Sequence, residues 1–369
     1  MPLHRAPLAR SFPSSPVRGD PSPAVGESIR MVDVVHLVTD LGGMAQKRQL
    51  VARGARDLDL TNAVKRGELL RARQGWYTTL PSTDAAVRAV RVGGRLTGVS
   101  AVAAAGGWVQ RRHPLHVSVP ANAARLRSQS NRFVHPGARD IRGVVVHWER
   151  PDAAGRGTAT AVELADALIR VVLDEDLETA VAALDWALHT GRLDRIEFER
   201  LLFALPGNRR FIGEWVDERC QSLPESLSRT RLRLRGHSVR SQVRVGDLES
   251  IDMVVDDCVA LEVDGEEHHR DRFERDRTKD LDITISRLHA LRPSANAVFH
   301  RWPRVLLAVE TAIADRRAAS SFGNSGVRPP KQLRLPAVTG RRTARRRLTP
   351  EFPKAGQDAA SRANLGNTR

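Results

Sequence analysis

Seven carboxylates and two histidines stand between Ser250 and His269, in the stretch SIDMVVDDCVALEVDGEEHH, and three of the carboxylates are carried by two short apolar runs. Asp252 lies in a first short apolar run, and Glu262 and Asp264 lie two apart in a second. If both runs are strands, Glu262 and Asp264 project to one face while Leu261 and Val263 project to the other. Two acids on one face repel each other, and a divalent cation is the simplest group that makes the arrangement favourable. Asp252 joins them only if the connecting loop has the right parity. A two-residue turn at Asp256-Asp257 sets Asp252 opposite Leu261, whereas a three-residue loop, Asp256 to Cys258, sets it opposite Glu262. The metal-site reading therefore predicts an odd-length loop or a bulge, and an even turn without a bulge would undo it. The plainer alternative has Asp252 capping the hairpin or pairing with Arg240 or Arg244.

The elements around this stretch must carry it. LPESLSRTRLRLRGH predicts a helix capped near Ser222, with Leu223, Leu227 and Leu234 along one stripe and Glu225 near its start. Glu225 is then either part of the site or an acid that favours the helix dipole. SVRSQVRV, LESIDMVV and CVALEVDG read as strands, and RDRFERDRTKDLDITISR as a charged helix in which Asp276–Asp280 repel and Asp271–Arg275 attract. RLHALRP adds a short strand and WPRVLLAVETAIADRR a closing amphipathic helix. The order α-β-β-β-α-β-α over residues 223–315 is an α/β three-layer plan with the acids at its centre.

Upstream, residues 31–80 read as one compact unit. DVVHLVTDLGG, MAQKRQLVARG and the run from Asp57 to Arg66 predict three short helices stopped by glycines, and ELLRARQGWYTTL predicts a hairpin turning at Gln74-Gly75. Three helices followed by a two-stranded ribbon is the winged helix-turn-helix order. A small helical module that contacts its neighbour is the competing reading. Residues 81–222 form a mixed, mostly helical middle region. In it LHVSVP and GVVVHWER read as strands, and TATAVELADALIRVVLDED as a strong helix capped at Thr158 or Thr160. His113, His116, His135 and His147 read as scattered, with no catalytic constellation among them.

The C-terminal pattern resembles a known superfamily. Glu225-Ser226, then Asp252, then Glu262-Val263-Asp264-Gly265-Glu266-Glu267-His268, then Asp276 with Arg277, is similar to the restriction-endonuclease-like PD-(D/E)xK superfamily. More narrowly, it resembles a nuclease-like family related to very-short-patch-repair endonucleases. The resemblance implies a metal-dependent DNA endonuclease that hydrolyses phosphodiester bonds. It implies Mg²⁺ or Mn²⁺ on Asp252 and Glu262, with Glu225 holding a metal-bound water. The superfamily usually places Lys two residues after the second acid, and here Asp264 stands there. His268 is the matching base candidate, and His269, Arg277 and Lys279 are placed to compensate from the following helix. The implied catalytic set is Glu225, Asp252, Glu262, Asp264 and His268.

The run from Leu41 to Leu80, with GELLRARQGWYTTLP as its most telling part, looks like the N-terminal winged-helix domain of AbiEi-type antitoxins of type IV toxin–antitoxin systems. That resemblance implies DNA binding through Arg56, Thr61, Asn62, Lys65 and Arg66 on the third helix, and through Arg71 and Arg73 on the wing. DNA is thus the expected partner, and a toxin and a second copy of the chain are the protein partners to test. The rival reading is a non-catalytic, antitoxin-like transcriptional regulator with a degenerate nuclease fold. A nuclease acting on RNA is a third.

Bulk composition constrains these readings. The chain has 369 residues, is 41% hydrophobic and carries a net charge of +16. Residues 316–369 hold +11 of that and residues 1–30 hold +2, so residues 31–315 are close to neutral. DNA affinity in the folded part must come from local patches, whereas the tail, with RRTARRR at 341–347, attracts phosphate without sequence preference. Residues 1–30, rich in Arg, Pro and Ser, and the tail both read as disordered. Met31 is the better start of a folded unit. There is no apolar signal region and no run long enough to span a membrane, so a cytoplasmic location without a membrane partner is expected. Two cysteines are too few for a disulfide framework.

Overall fold

The computed structural model describes residues 32–110, 113–137, 143–148, 156–245, 249–264 and 273–322. The chain is mixed α/β, with three small sheets. Among the described residues no helix is long and apolar enough to cross a membrane.

At the N-terminal end, α1 (Val34–Asp40) is capped by Asp33, whose carboxylate accepts from the Val35 and His36 amides. Gly42 and Gly43 follow, both with positive φ, and turn the chain into β1 (Met44–Gln46). This corrects one expectation. Met44, Ala45 and Gln46 do not open the second helix but pair with Thr78, Tyr77 and Trp76. The glycine pair reverses the chain so that Met44 and Ala45 are buried. The helix α2 spans only Lys47–Val51, and α3 (Asp57–Lys65) follows it. The ribbon β2 (Leu70–Arg73) and β3 (Trp76–Thr78) completes a sheet ordered β1-β3-β2. Val34, Val38, Leu50, Leu60, Ala63 and Tyr77 close its core.

The middle region runs through α4 (Ala85–Val92), β4 (Arg95–Leu96), α5 (Gly98–Ala104), β5 (Leu115–Val119) and β6 (Val144–Trp148). It continues through α6 (Leu164–Asp174), α7 (Leu177–His189), α8 (Arg195–Ala204) and a 3-10 segment, Gly207–Glu214. β4 pairs antiparallel with β5, and β5 pairs parallel with β6. The cap of α6 also differs from expectation: Glu163, not Thr158 or Thr160, precedes the helix. The Thr158 hydroxyl instead accepts from the Thr160 and Ala161 amides and holds a turn, while Ala161 bridges to Leu96.

The C-terminal part has the expected order with one short helix, α11, added before the last: α9 (Leu223–Leu234), β7 (Val239–Val245), β8 (Glu249–Val255), β9 (Val259–Leu261), α10 (Phe273–Ile285), β10 (His289–Leu291), α11 (Ala295–His300) and α12 (Trp302–Phe322). The sheet order is β10-β9-β8-β7, with β10 parallel to β9 and the other pairs antiparallel. Leu232 of α9 and Leu306, Val309 and Ile313 of α12 pack with Met253, Val255, Val259 and Leu261 on one face. Ile283 of α10 packs with Val254 and Ala260 on the other. Each such fully buried aliphatic side chain contributes about 1.5–3 kcal/mol. Leu234, expected on the buried stripe of α9, is exposed, and Leu232 takes that place.

α9 is tied to the middle region by a buried polar cluster. The Asp185 carboxylate of α7 accepts from the Ser226 hydroxyl at 2.6 Å, Arg229 Nη2 at 3.0 Å and the Asp217 amide at 2.7 Å. Cys220, buried beside this cluster, is a free thiol that burial pushes up, away from the reactive thiolate.

Candidate functional site

The hairpin register decides whether the acids can meet. Met253, Val254 and Val255 pair with Leu261, Ala260 and Val259, so Asp256, Asp257 and Cys258 form a three-residue loop. Asp256 and Asp257 both have positive φ, and Asp256 is held by His237 Nδ1 at 3.0 Å and by the Ser238 amide at 2.8 Å. Continued one residue past the last pair, Met253 with Leu261, this register sets Asp252 opposite Glu262, which follows β9. Arg240 pairs with Asp257 rather than with Asp252.

The same register across β7 and β8 sets Gln242 opposite Asp252, so Gln242, Asp252 and Glu262 occupy one rung of the sheet. Gln242 has φ +49°, a left-handed backbone that is uncommon for a residue in a strand. The alternation slips at this rung. Val239 and Met253 pack toward α9 and α12, whereas Val243 and Ile251, of the same parity, pack toward α10. Sequence parity alone could not have shown the slip, and Gln242 is a site residue that it missed.

Glu225 reaches the rung from the first turn of α9. Its Oε1 accepts from the Ser222 hydroxyl at 2.7 Å, and its Oε2 accepts from the Gln221 amide at 3.0 Å and from Gln242 Nε2 at 3.2 Å. It therefore serves both as a first-turn acid and as a neighbour of the site. Asp252 Oδ2 accepts from the Val263 amide at 2.8 Å. Burial, followed by the charge of Glu225, pushes the Asp252 carboxyl up to about 6, while the Val263 amide and Lys279 partly offset the rise. Its second oxygen takes no hydrogen bond from a described residue.

Glu262 is only 7% exposed and is gripped from two sides. Lys279 Nζ of α10 makes an ion pair with Oε1, and Arg292 Nη2 lies 3.2 Å from Oε2. Burial raises the Glu262 carboxyl, and the two cations pull it only part of the way back. The three acids are thus less crowded than the sequence suggested, because two cations stand among them. Asp264 continues the chain beyond β9: its amide donates to the Pro293 carbonyl at 3.1 Å, and its carbonyl accepts from the Ala295 amide at 2.9 Å. Gly265, Glu266, Glu267, His268, His269 and Asp271 lie outside the described residues, as do the side chains of Arg275, Asp276 and Arg277.

On the N-terminal sheet and α3, Lys65 and Arg71 are exposed, with no ion-pair partner among the described residues. Arg56 forks onto Asp59 at 2.9 and 3.0 Å, and Arg66 forks onto Glu68 at 2.8 and 2.7 Å. Such exposed pairs hold their charges weakly. Thr61 donates to the Asp57 carbonyl at 2.8 Å, and Asn62 is half-buried. Arg73 points inward. Its guanidinium donates to the Arg91 carbonyl at 2.8 Å and the Arg125 carbonyl at 2.6 Å. A register shift between Arg71 and Arg73 is what separates their faces.

One grouping overturns the reading of scattered histidines. His116, His147 and Asp174 bring one ligand atom each within 4.8 Å of one another, the only such set of three among the described residues. No family model and no curated protein matches the chain.

Proposed function

We propose that the C-terminal part is a restriction-endonuclease-like, metal-dependent DNA endonuclease and that the N-terminal part is a winged-helix unit that holds it on DNA. The observation that carries this reading is Lys279. The sequence offers Asp264 where the superfamily usually has Lys, and α10 returns an ammonium group to Glu262 from another element. The mixed sheet with α9 and α10 on opposite faces, and the acids Glu225, Asp252 and Glu262 around one rung, support the same reading. For the N-terminal part the support is β1 pairing with the ribbon and the exposed Lys65 and Arg71.

The residues fit a hard cation. Asp252 is half-buried, has one oxygen without a hydrogen bond from a described residue, and has its carboxyl raised by desolvation and Glu225. Both features are relieved by positive charge. Asp252 and Glu262 would hold the ion, with Glu225 reaching it through water. Bound there, Mg²⁺ or Mn²⁺ supplies charge to a phosphate oxygen and acidifies a bound water. Lys279 Nζ, fixed by Glu262, places a second positive charge where charge develops on the phosphate. Arg292 holds the other oxygen of Glu262 and so fixes the carboxylate that Lys279 leans on. Gln242 fixes Glu225.

Nicking of supercoiled DNA with Mg²⁺ or Mn²⁺ tests the proposal. Asp252→Ala, Glu262→Ala and Lys279→Ala should each lower nicking by about 10²-fold or more. A specific observation also favours the rival: Lys279 and Arg292 already balance Glu262 without any metal ion. If the chain binds DNA but no strand state or metal yields cleavage, the regulator reading holds. Competition between labelled DNA and RNA separates the third reading.

A further inference from the structure

We propose that His116 Nδ1, His147 Nε2 and Asp174 Oδ2 form a binding site for a divalent transition metal of the Zn²⁺ class, independent of the acids on β8 and β9. The parallel pairing sets His116 opposite Val145 and Ser118 opposite His147. His116 and His147 therefore stand on one face of adjacent strands, two residues apart in register. The last residue of α6, Asp174, and its C-cap, Glu175, complete the cluster.

The distances suit coordination. His147 Nε2 lies 3.2 Å from His116 Nδ1 and 3.6 Å from Asp174 Oδ2. Two tetrahedral ligand atoms at about 2.0–2.1 Å from zinc stand about 3.3 Å apart. Without a metal, one imidazole can donate to the other, but Asp174 Oδ2 remains buried with no hydrogen-bond partner among the described residues. A cation at the centre satisfies all three atoms at once. The far nitrogen of His116, Nε2, lies 3.4 Å from Glu175 Oε1. A carboxylate behind a ligating imidazole fixes its tautomer and leaves Nδ1 with a lone pair for the metal.

The surroundings agree. Burial, then proximity to His147, holds His116 at about 4, and burial, then Arg170, holds His147 at about 4. Arg170 Nη1 lies 3.5 Å from Asp174 Oδ1, on the oxygen away from the cluster, and offsets part of the acidic charge. Gly98 has φ +50°, and a Cβ there would stand 3.1 Å from His116 Nδ1 and 3.2 Å from Arg170 Cγ. Two imidazoles with one carboxylate favour Zn²⁺ over Mg²⁺, which prefers oxygen alone. Three protein ligands leave a fourth position for water.

The test uses the full chain, stripped with a chelator and titrated with Zn²⁺ at neutral pH. One equivalent should bind tightly, raise the thermal midpoint and show two imidazole nitrogens and oxygen in X-ray absorption. His147→Gln and Asp174→Asn should each weaken binding about 100-fold or more. Glu175→Gln, which removes no ligand, should weaken it about 10- to 100-fold. Asp252→Asn/Glu262→Gln and His268→Ala/His269→Ala should retain the equivalent. If the stripped wild-type chain takes up no Zn²⁺, or if His147→Gln and Glu175→Gln bind it as the wild type does, the proposal is wrong. Loss of the equivalent in the Asp252/Glu262 or His268/His269 variants would equally overturn it, by placing the metal elsewhere. Should His147→Gln fail to fold, Glu175→Gln and the absorption spectrum of the wild type still decide.

Discussion

Replacing Asp252 by Asn should stabilise the metal-free protein while abolishing its response to Mg²⁺. The Asp252 carboxyl is held at about 6 in the fold, by burial and by the charge of Glu225. In the unfolded chain an aspartate titrates near ~3.9. The folded state therefore binds more protons than the unfolded state between these values, and stability falls as pH rises through that window. A shift of about 2 units at about 1.4 kcal/mol each is a penalty of about 3 kcal/mol, fully present above about pH 7 and absent below about pH 4. Asn cannot ionise, and its Oδ1 can still accept from the Val263 amide, which now reaches Asp252 at 2.8 Å. In chelator near pH 8, Asp252→Asn should gain up to about 3 kcal/mol over the wild type, and near pH 4 the two should agree within about 1 kcal/mol. Because the chain has several units, a single global unfolding energy is not well defined. Hydrogen exchange of the Val254, Val255, Val259 and Ala260 amides, corrected for intrinsic rates at each pH, reads the C-terminal sheet directly. Mg²⁺ should raise the protection of the wild type and leave the variant unchanged. A variant less stable than the wild type near pH 8, or a difference that does not vary with pH, would refute the reasoning.

Other outcomes follow from the same geometry. Arg229→Ala leaves the Asp185 carboxylate buried without its cation, and hydrogen exchange of the Ala187 and Leu188 amides of α7 should show a local loss of about 3–5 kcal/mol, because burial already raises that carboxyl despite Arg229. Lys279→Ala should leave DNA affinity within a few-fold while nicking falls, and an equal fall in binding would argue that Lys279 serves affinity instead. Lys65→Ala and Arg71→Ala should each weaken DNA binding uniformly across sequences and lower the slope of log affinity against log salt by about 1, as read by anisotropy titrations. Arg73→Ala should instead lower thermal stability, since its guanidinium is spent on the Arg91 and Arg125 carbonyls.

Much of the local structure was legible in the residues themselves. Ser222, Pro224 and Gly236 frame α9 as capping chemistry requires, and the alternation of Val and Ile runs with charged stretches marks the strands and helices of residues 223–315. The three-residue loop at Asp256–Cys258 followed from asking which parity lets Asp252 meet Glu262, a question that needs only the two-residue period of a strand. These features depend on neighbours in sequence. Those that went unseen depend on which apolar faces bury against each other. Lys279 was legible only as one of three compensating residues, with His269 and Arg277, and it is the one seen to reach Glu262 because α10 packs Ile283 onto Val254 and Ala260. The slip at Gln242 and Asp252 needs three strands to be seen at once, and the inward turn of Arg73 needs a register shift in the ribbon. His116, His147 and Asp174 are far apart along the chain, and only the parallel pairing of β5 with β6 beneath the end of α6 brings them together. Residue periodicity determined the elements and the acids of the hairpin. Tertiary packing decided which cation, and which histidines, would stand beside which acid, because those contacts form only when distant apolar faces are buried together.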